Sequence, residues 1–83
     1  MNTLNEGVFI ANYKWNGYDC ISTAVISANN NLSFKNNIGG VKFEVNGSYT
    51  LSSNTLIHKN EAYAYREGGD YFTLDGTIYK RIQ

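Results

Sequence analysis

The chain has 83 residues, 42% of them hydrophobic and 14% aromatic, and its seven basic and seven acidic side chains cancel. That size fits one domain over 1–83, near the lower limit for folding on a single apolar core. A neutral sum argues against general nucleic-acid or membrane-surface binding, both of which lean on a basic field; Lys80 and Arg81 make only a small basic patch.

The N-terminal stretch Met1–Glu6 has neither the basic nor the apolar region of a signal peptide and reads as frayed. Gly7 to Trp15 then alternates, with Phe9, Ala11, Tyr13 and Trp15 on one face and Val8, Ile10, Asn12 and Lys14 on the other. Asn16-Gly17 predicts a two-residue turn into a second strand from Tyr18 to about Ala28. That register sets Trp15 against Tyr18, Lys14 against Asp19 and Tyr13 against Cys20, pairing aromatic with aromatic and cation with anion. The second strand is apolar on both faces, through Ile21, Thr23 and Val25 and through Ala24 and Ile26, which predicts a covered position.

Asn29-Asn30-Asn31 reads as a turn, since Asn tolerates left-handed backbone. Leu32–Lys35 is a short strand that Asn36–Gly40 interrupts. Val41–Val45 alternates cleanly, with Val41, Phe43 and Val45 expected inward. Asn46-Gly47 predicts another hairpin, in which a bulged loop sets Phe43 against Tyr49 and Val41 against Leu51. A loop at 52–54, a strand over 55–59, a turn at Lys59-Asn60 and an alternating run Glu61–Arg66 follow. Glu67–Asp70 leads into the final hairpin around Asp75-Gly76. There a three-residue loop from Leu74 to Gly76 matches like with like: Thr73 with Thr77, Phe72 with Ile78, Tyr71 with Tyr79. Phe72 and Ile78 are expected inward, Tyr71 and Tyr79 outward.

Seven to nine short strands with turns every 6–10 residues predict an all-β fold, a small antiparallel barrel or sandwich built from hairpins. No stretch approaches the roughly 20 apolar residues that cross a bilayer, so no membrane partner is expected. The single Cys20 cannot form an internal disulfide, and with only His58 beside it no zinc site can be built. This usage fits a reducing compartment, and the expected location is cytoplasmic. Twelve Asn and no Pro suggest an AT-rich coding sequence, compatible with a phage or mobile element.

No catalytic constellation is legible. His58 fits a hydrogen-bonded strand position, Cys20 a small buried apolar one, and the carboxylates are scattered over turns and polar faces. Gly39-Gly40 and Gly68-Gly69 precede no helix, so neither cradles phosphate. No enzyme activity and no cofactor are expected. The aromatics are more informative: Tyr13, Trp15 and Tyr18 cluster at the first hairpin tip, Tyr63 and Tyr65 share a strand face, and Tyr71 and Tyr79 flank the last turn. A chain this small cannot bury twelve aromatic rings in one core, so these seven are the candidate binding residues.

The expected function is a non-enzymatic module, an inhibitor or adaptor, that binds another protein through this Tyr/Trp surface or through a strand edge. A carbohydrate or small-ligand binding barrel is the alternative, and a single-strand nucleic-acid binder a third reading that the neutral charge disfavours. Edge strands left by the many turns also allow homodimerisation by edge pairing.

Overall fold

The computed structural model describes residues 3–83. Eight antiparallel strands close into a barrel in which each strand pairs with its sequence neighbours: β1 (Gly7–Trp15), β2 (Tyr18–Ser27), β3 (Asn31–Ile38), β4 (Val41–Ser52), β5 (Thr55–His58), β6 (Glu61–Glu67), β7 (Tyr71–Leu74) and β8 (Thr77–Arg81). Strands account for 73% of the described residues, and there is no helix among them. Closure comes from Phe9 opposite Arg81 and Ile10 opposite Lys80, and main-chain bonds between Val8 and Ile82–Gln83 continue it.

Alternation along every strand puts one set of side chains inside, and at eight strands those side chains fill the interior. The core joins Phe9, Ala11, Ala24, Ile26, Leu32, Phe34, Tyr49, Leu56, Tyr65, Phe72, Leu74 and Tyr79. Small residues face large ones across neighbouring strands. Ala24 stands between Phe9 and Phe34, while Ala11 and Ser22, both small, face each other and leave room above them. The space they leave is taken by rings: Phe72 stacks on Tyr79 with centroids 5.2 Å apart and planes 7° apart, and meets Phe9 edge-on at 4.9 Å.

Four two-residue turns, Asn16-Gly17, Gly39-Gly40, Lys59-Asn60 and Asp75-Gly76, have both central residues at positive φ, which matches the right-handed twist of the strands they join. Alternating strand direction puts all four at one end of the barrel. The other end is closed by the N-terminal segment. Leu4 is buried there and its N–H donates to the Tyr49 hydroxyl at 2.8 Å. The expected fraying therefore does not extend to Leu4; Met1 and Asn2 lie outside the described residues.

Several expected registers are corrected. In the last hairpin the loop is Asp75-Gly76 alone, with Leu74 opposite Thr77, Phe72 opposite Tyr79 and Tyr71 opposite Lys80. Asp75 at φ 50° and Gly76 at φ 85° take the left-handed pair that a two-residue turn needs. The Asp75 carboxylate anchors it by accepting the Ala64 N–H at 2.7 Å. Tyr79 is consequently inside and Ile78 outside.

Asn46-Gly47 makes no turn. It lies within β4, and Gly39-Gly40 turns the chain instead, so β3 runs through Asn36 and Asn37 to Ile38. Just after Gly47, past Ser48, β4 leaves β3 and passes to β5, whose pairing begins at Tyr49 opposite His58. The Lys59 side chain crosses over it: a Cβ on Gly47 would lie 2.6 Å from Lys59 Cδ. Val41 and Phe43 share the inner-facing side but are exposed, at 67% and 44%. The outer face of β2 is uncovered too, with Ile21 exposed.

Burial leaves a mark on titration. Desolvation, with Glu67 and Tyr49 nearby, pushes the Tyr65 phenol up to about 12. Tyr79 is also raised, by burial first, although its bond to Ser22 opposes the rise. The unfolded chain ionises such phenols near ~10 and the folded one higher, so the folded state holds more protons above that pH. Stability is therefore complete below about pH 10 and falls as pH rises toward 12. An alkaline titration following phenolate absorbance and far-UV circular dichroism together checks this. Tyr65 and Tyr79 are expected to ionise only as the strands unfold; ionisation of every tyrosine with the fold intact would contradict the burial.

Candidate functional site: an aromatic apron over the barrel mouth

The strands are unequal, and the site follows from that. β5, β7 and β8 have 4, 4 and 5 residues, whereas β1 to β4 have 9, 10, 8 and 12. β4 pairs with β5 only over Tyr49–Ser52, and Val41–Ser48 pair with β3 alone. The hairpin tips of β1–β2 and β3–β4 therefore run past the closed part of the barrel as a four-stranded apron. The six residues Val41–Asn46 alone extend it by roughly 20 Å at ~3.3 Å per residue. This accounts for the molecule's long dimension of 38 Å against 25 and 22 Å.

The inner face of the apron continues the inner face of the barrel. Registers place Trp15 opposite Tyr18, Cys20 opposite Ile38, Ile38 opposite Val41 and Asn36 opposite Phe43. With no far wall to pack against, the same alternation that builds the core here presents apolar side chains to solvent. Trp15 is 55% exposed and Tyr18 56%, and with Ile38, Gly39, Val41 and Phe43 they line a groove of about 450 Å³. The Tyr18 ring lies against Gly39, where a Cβ would approach it to 2.7 Å. Charge stays on the opposite face, where Lys14 and Asp19 pair at 2.8 Å.

Where the apron meets the barrel, the mouth holds a pocket of about 200 Å³ lined by Tyr13, Ser22, Phe34, Asn36, Val45, Tyr63 and Tyr79. The Tyr79 hydroxyl donates to Ser22 Oγ at 3.0 Å. Asn36 Oδ1 is buried and has no hydrogen-bond partner among the described residues. Burial pushes the phenols of Tyr13 and Tyr63 up, with Cys20 adding to the first and Glu61 and Asp75 to the second. The mouth thus offers aromatic walls, neutral hydroxyls and one unpartnered amide oxygen, and no charged side chain lines it.

Of the seven residues singled out from sequence, five gather at this end: Trp15 and Tyr18 on the apron, Tyr13, Tyr63 and Tyr79 around the mouth. Tyr79 is buried there rather than outward, because its strand register puts it inside with Phe72. Tyr65 shares a face with Tyr63, but that face is the interior, and Tyr65 is buried in the core. Tyr71 is exposed at the opposite end, beside Gly68 and Gly69, and takes no part. Sequence reading missed Ile38, Val41, Phe43 and Asn36. The overlooked signal was length: a turn at Gly39-Gly40 makes strands of 8 and 12 residues, where β5, β7 and β8 have only 4, 4 and 5.

His58 is fully buried, its Nε2 2.8 Å from the Leu32 carbonyl oxygen and its ring edge-on to Phe34 at 5.2 Å. Cys20 is buried, its Sγ 3.5 Å from the Tyr18 carbonyl. Among the described residues no group of His, Cys, Asp and Glu side chains is placed to hold a metal ion, and no helix is long and apolar enough to cross a membrane. The fold and this end together define a small antiparallel barrel with an overhanging aromatic face. Compared with known protein families, curated proteins and solved structures, the chain matches none.

Proposed function

We propose that this chain is a non-enzymatic protein-binding module that docks another protein on the inner face of its apron. The observation that carries the reading is the exposure of Trp15, Tyr18, Val41 and Phe43 on one contiguous side of one sheet. Apolar rings concentrated in a groove are what central interface positions are made of, and leaving them in water has no benefit to folding. A neutral, compact chain whose single His and Cys are both buried suits an inhibitor or adaptor that works by contact. Its composition and size are compatible with a phage or mobile-element product acting in the cytoplasm.

Capture from a lysate of the cells that produce the protein tests this. Wild type and Tyr71→Ala are expected to retain the same partner, and Trp15→Ala with Phe43→Ala to lose at least tenfold in affinity, since a central aromatic contact carries roughly 2 kcal/mol or more. A partner held equally by all of them would remove the apron from the account.

Asn36 favours a second reading. Its buried, unpartnered Oδ1 calls for a donor, and neutral Tyr hydroxyls beside ring faces suit an uncharged ring such as a sugar. Glycan-array binding lost on Asn36→Leu would support a mouth ligand; an empty array would dismiss it.

A further inference from the structure

The edge of β4 at the open end carries a pattern that complements itself. The two-residue turn makes Ile38 and Val41 a hydrogen-bonded pair, so the main-chain groups of Val41, Phe43 and Val45 point to β3. Those of Lys42, Glu44 and Asn46 point to an edge that carries no strand among the described residues. The edge ends at Gly47, where the Lys59 side chain and the Lys59-Asn60 turn stand beside it. Six residues from the tip are thus open, with Val41, Phe43 and Val45 on the inner face and Lys42 and Glu44 on the outer.

We propose that two copies of this chain associate through this edge, β4 against β4 antiparallel about a two-fold axis through Phe43. In that register Lys42 of each copy lies opposite Glu44 of the other, Phe43 opposite Phe43 and Val41 opposite Val45. Lys42 and Glu44 are then the hydrogen-bonded pairs, so each pair exchanges both main-chain bonds. The alternatives fail on charge or on space. A shift that centres the axis on Glu44 sets two carboxylates together, and one centred on Lys42 sets two ammonium groups together, both destabilising. A further shift centred on Val45 brings Ser48 into the pairing, where the Lys59-Asn60 turn stands in the way. Within its own chain Lys42 faces neutral Asn37, while Glu44 faces Lys35 and accepts the Ser33 hydroxyl at 3.1 Å. Association therefore gives Lys42 an anion and extends a row of alternating charge, Lys35, Glu44, Lys42, across both copies. A lone lysine on an edge deters strand addition; a lysine two residues from a glutamate invites one antiparallel register.

Sedimentation equilibrium of the full chain over a wide concentration range tests the pairing. Wild type is expected to reach twice the 9.3 kDa chain mass. Lys42→Glu and Glu44→Lys are each expected to weaken dimerisation at least tenfold, and the double exchange to restore it, because only this register keeps opposite charges together after both changes. Equimolar Lys42→Glu and Glu44→Lys are expected to form a mixed dimer. Circular dichroism checks that these exposed-face variants are folded, as expected for changes on the solvent side of a strand. A wild type that remains monomeric, or a dimer indifferent to the exchanges, overturns the proposal. Neither result touches the docking reading, since Trp15 and Tyr18 are unchanged in all of these variants.

Discussion

Replacing Phe72 with Ala is expected to cause the largest loss of stability of any single truncation in the barrel. Phe72 contacts Phe9, Tyr65 and Tyr79 with centroids 4.9, 6.2 and 5.2 Å away, so three strands lose their common partner at once. Truncating a buried Phe costs about 3–5 kcal/mol, because the cavity adds to the lost transfer energy. A domain of this length has about 4–12 kcal/mol of total stability, so the loss removes from about a quarter to all of it. Phe72→Leu, which keeps most of the volume, is expected to cost far less. Urea unfolding followed by circular dichroism measures both; a Phe72→Ala loss below about 1 kcal/mol would mean that the rings do not share a packed interior.

His58→Ala is the second large effect. A carbonyl only accepts, so the bond to Leu32 fixes the proton on Nε2, and the ring fills space against Phe34. Removing it opens a cavity and leaves a buried carbonyl without its donor, a combined loss of about 2–5 kcal/mol. Gln at this position can still donate and should recover part of the loss. Denaturant midpoints for His58→Ala and His58→Gln decide it: equal midpoints would deny the hydrogen bond its part, and an unchanged midpoint would deny both terms.

These two sites show why the barrel was legible from sequence while some registers were not. The Asn16-Gly17 hairpin was readable because a single register satisfies Lys14 with Asp19 and Trp15 with Tyr18 at once, and the structure has that register. The last hairpin misled because matching like with like is a local criterion. Tyr79 belongs inside because Phe34 and Ser22, from strands more than forty residues earlier, meet its ring and hydroxyl there. Asn46-Gly47 and Gly39-Gly40 are equally good turn formers in isolation. What separates them is the bend of β4 from one partner to another, with Lys59 lying over Gly47, which is a tertiary fact.

The apron was hidden for the same reason. Val41 and Phe43 alternate like core residues, and they do face inward; the strand simply outruns the wall that would have covered them. Mixed exposure within one face is the structural trace of strands of unequal length. It turns a core-building pattern into a contact surface without any change in local sequence logic.

Trp15 is the sole tryptophan and stands on that surface, so its fluorescence reports the central claim directly. With the captured partner titrated into the protein, the emission is expected to shift from that of a water-exposed indole toward the blue as the apron is covered. Saturating complex formation with the Trp15 emission and its quenching by a soluble quencher unchanged would contradict the account.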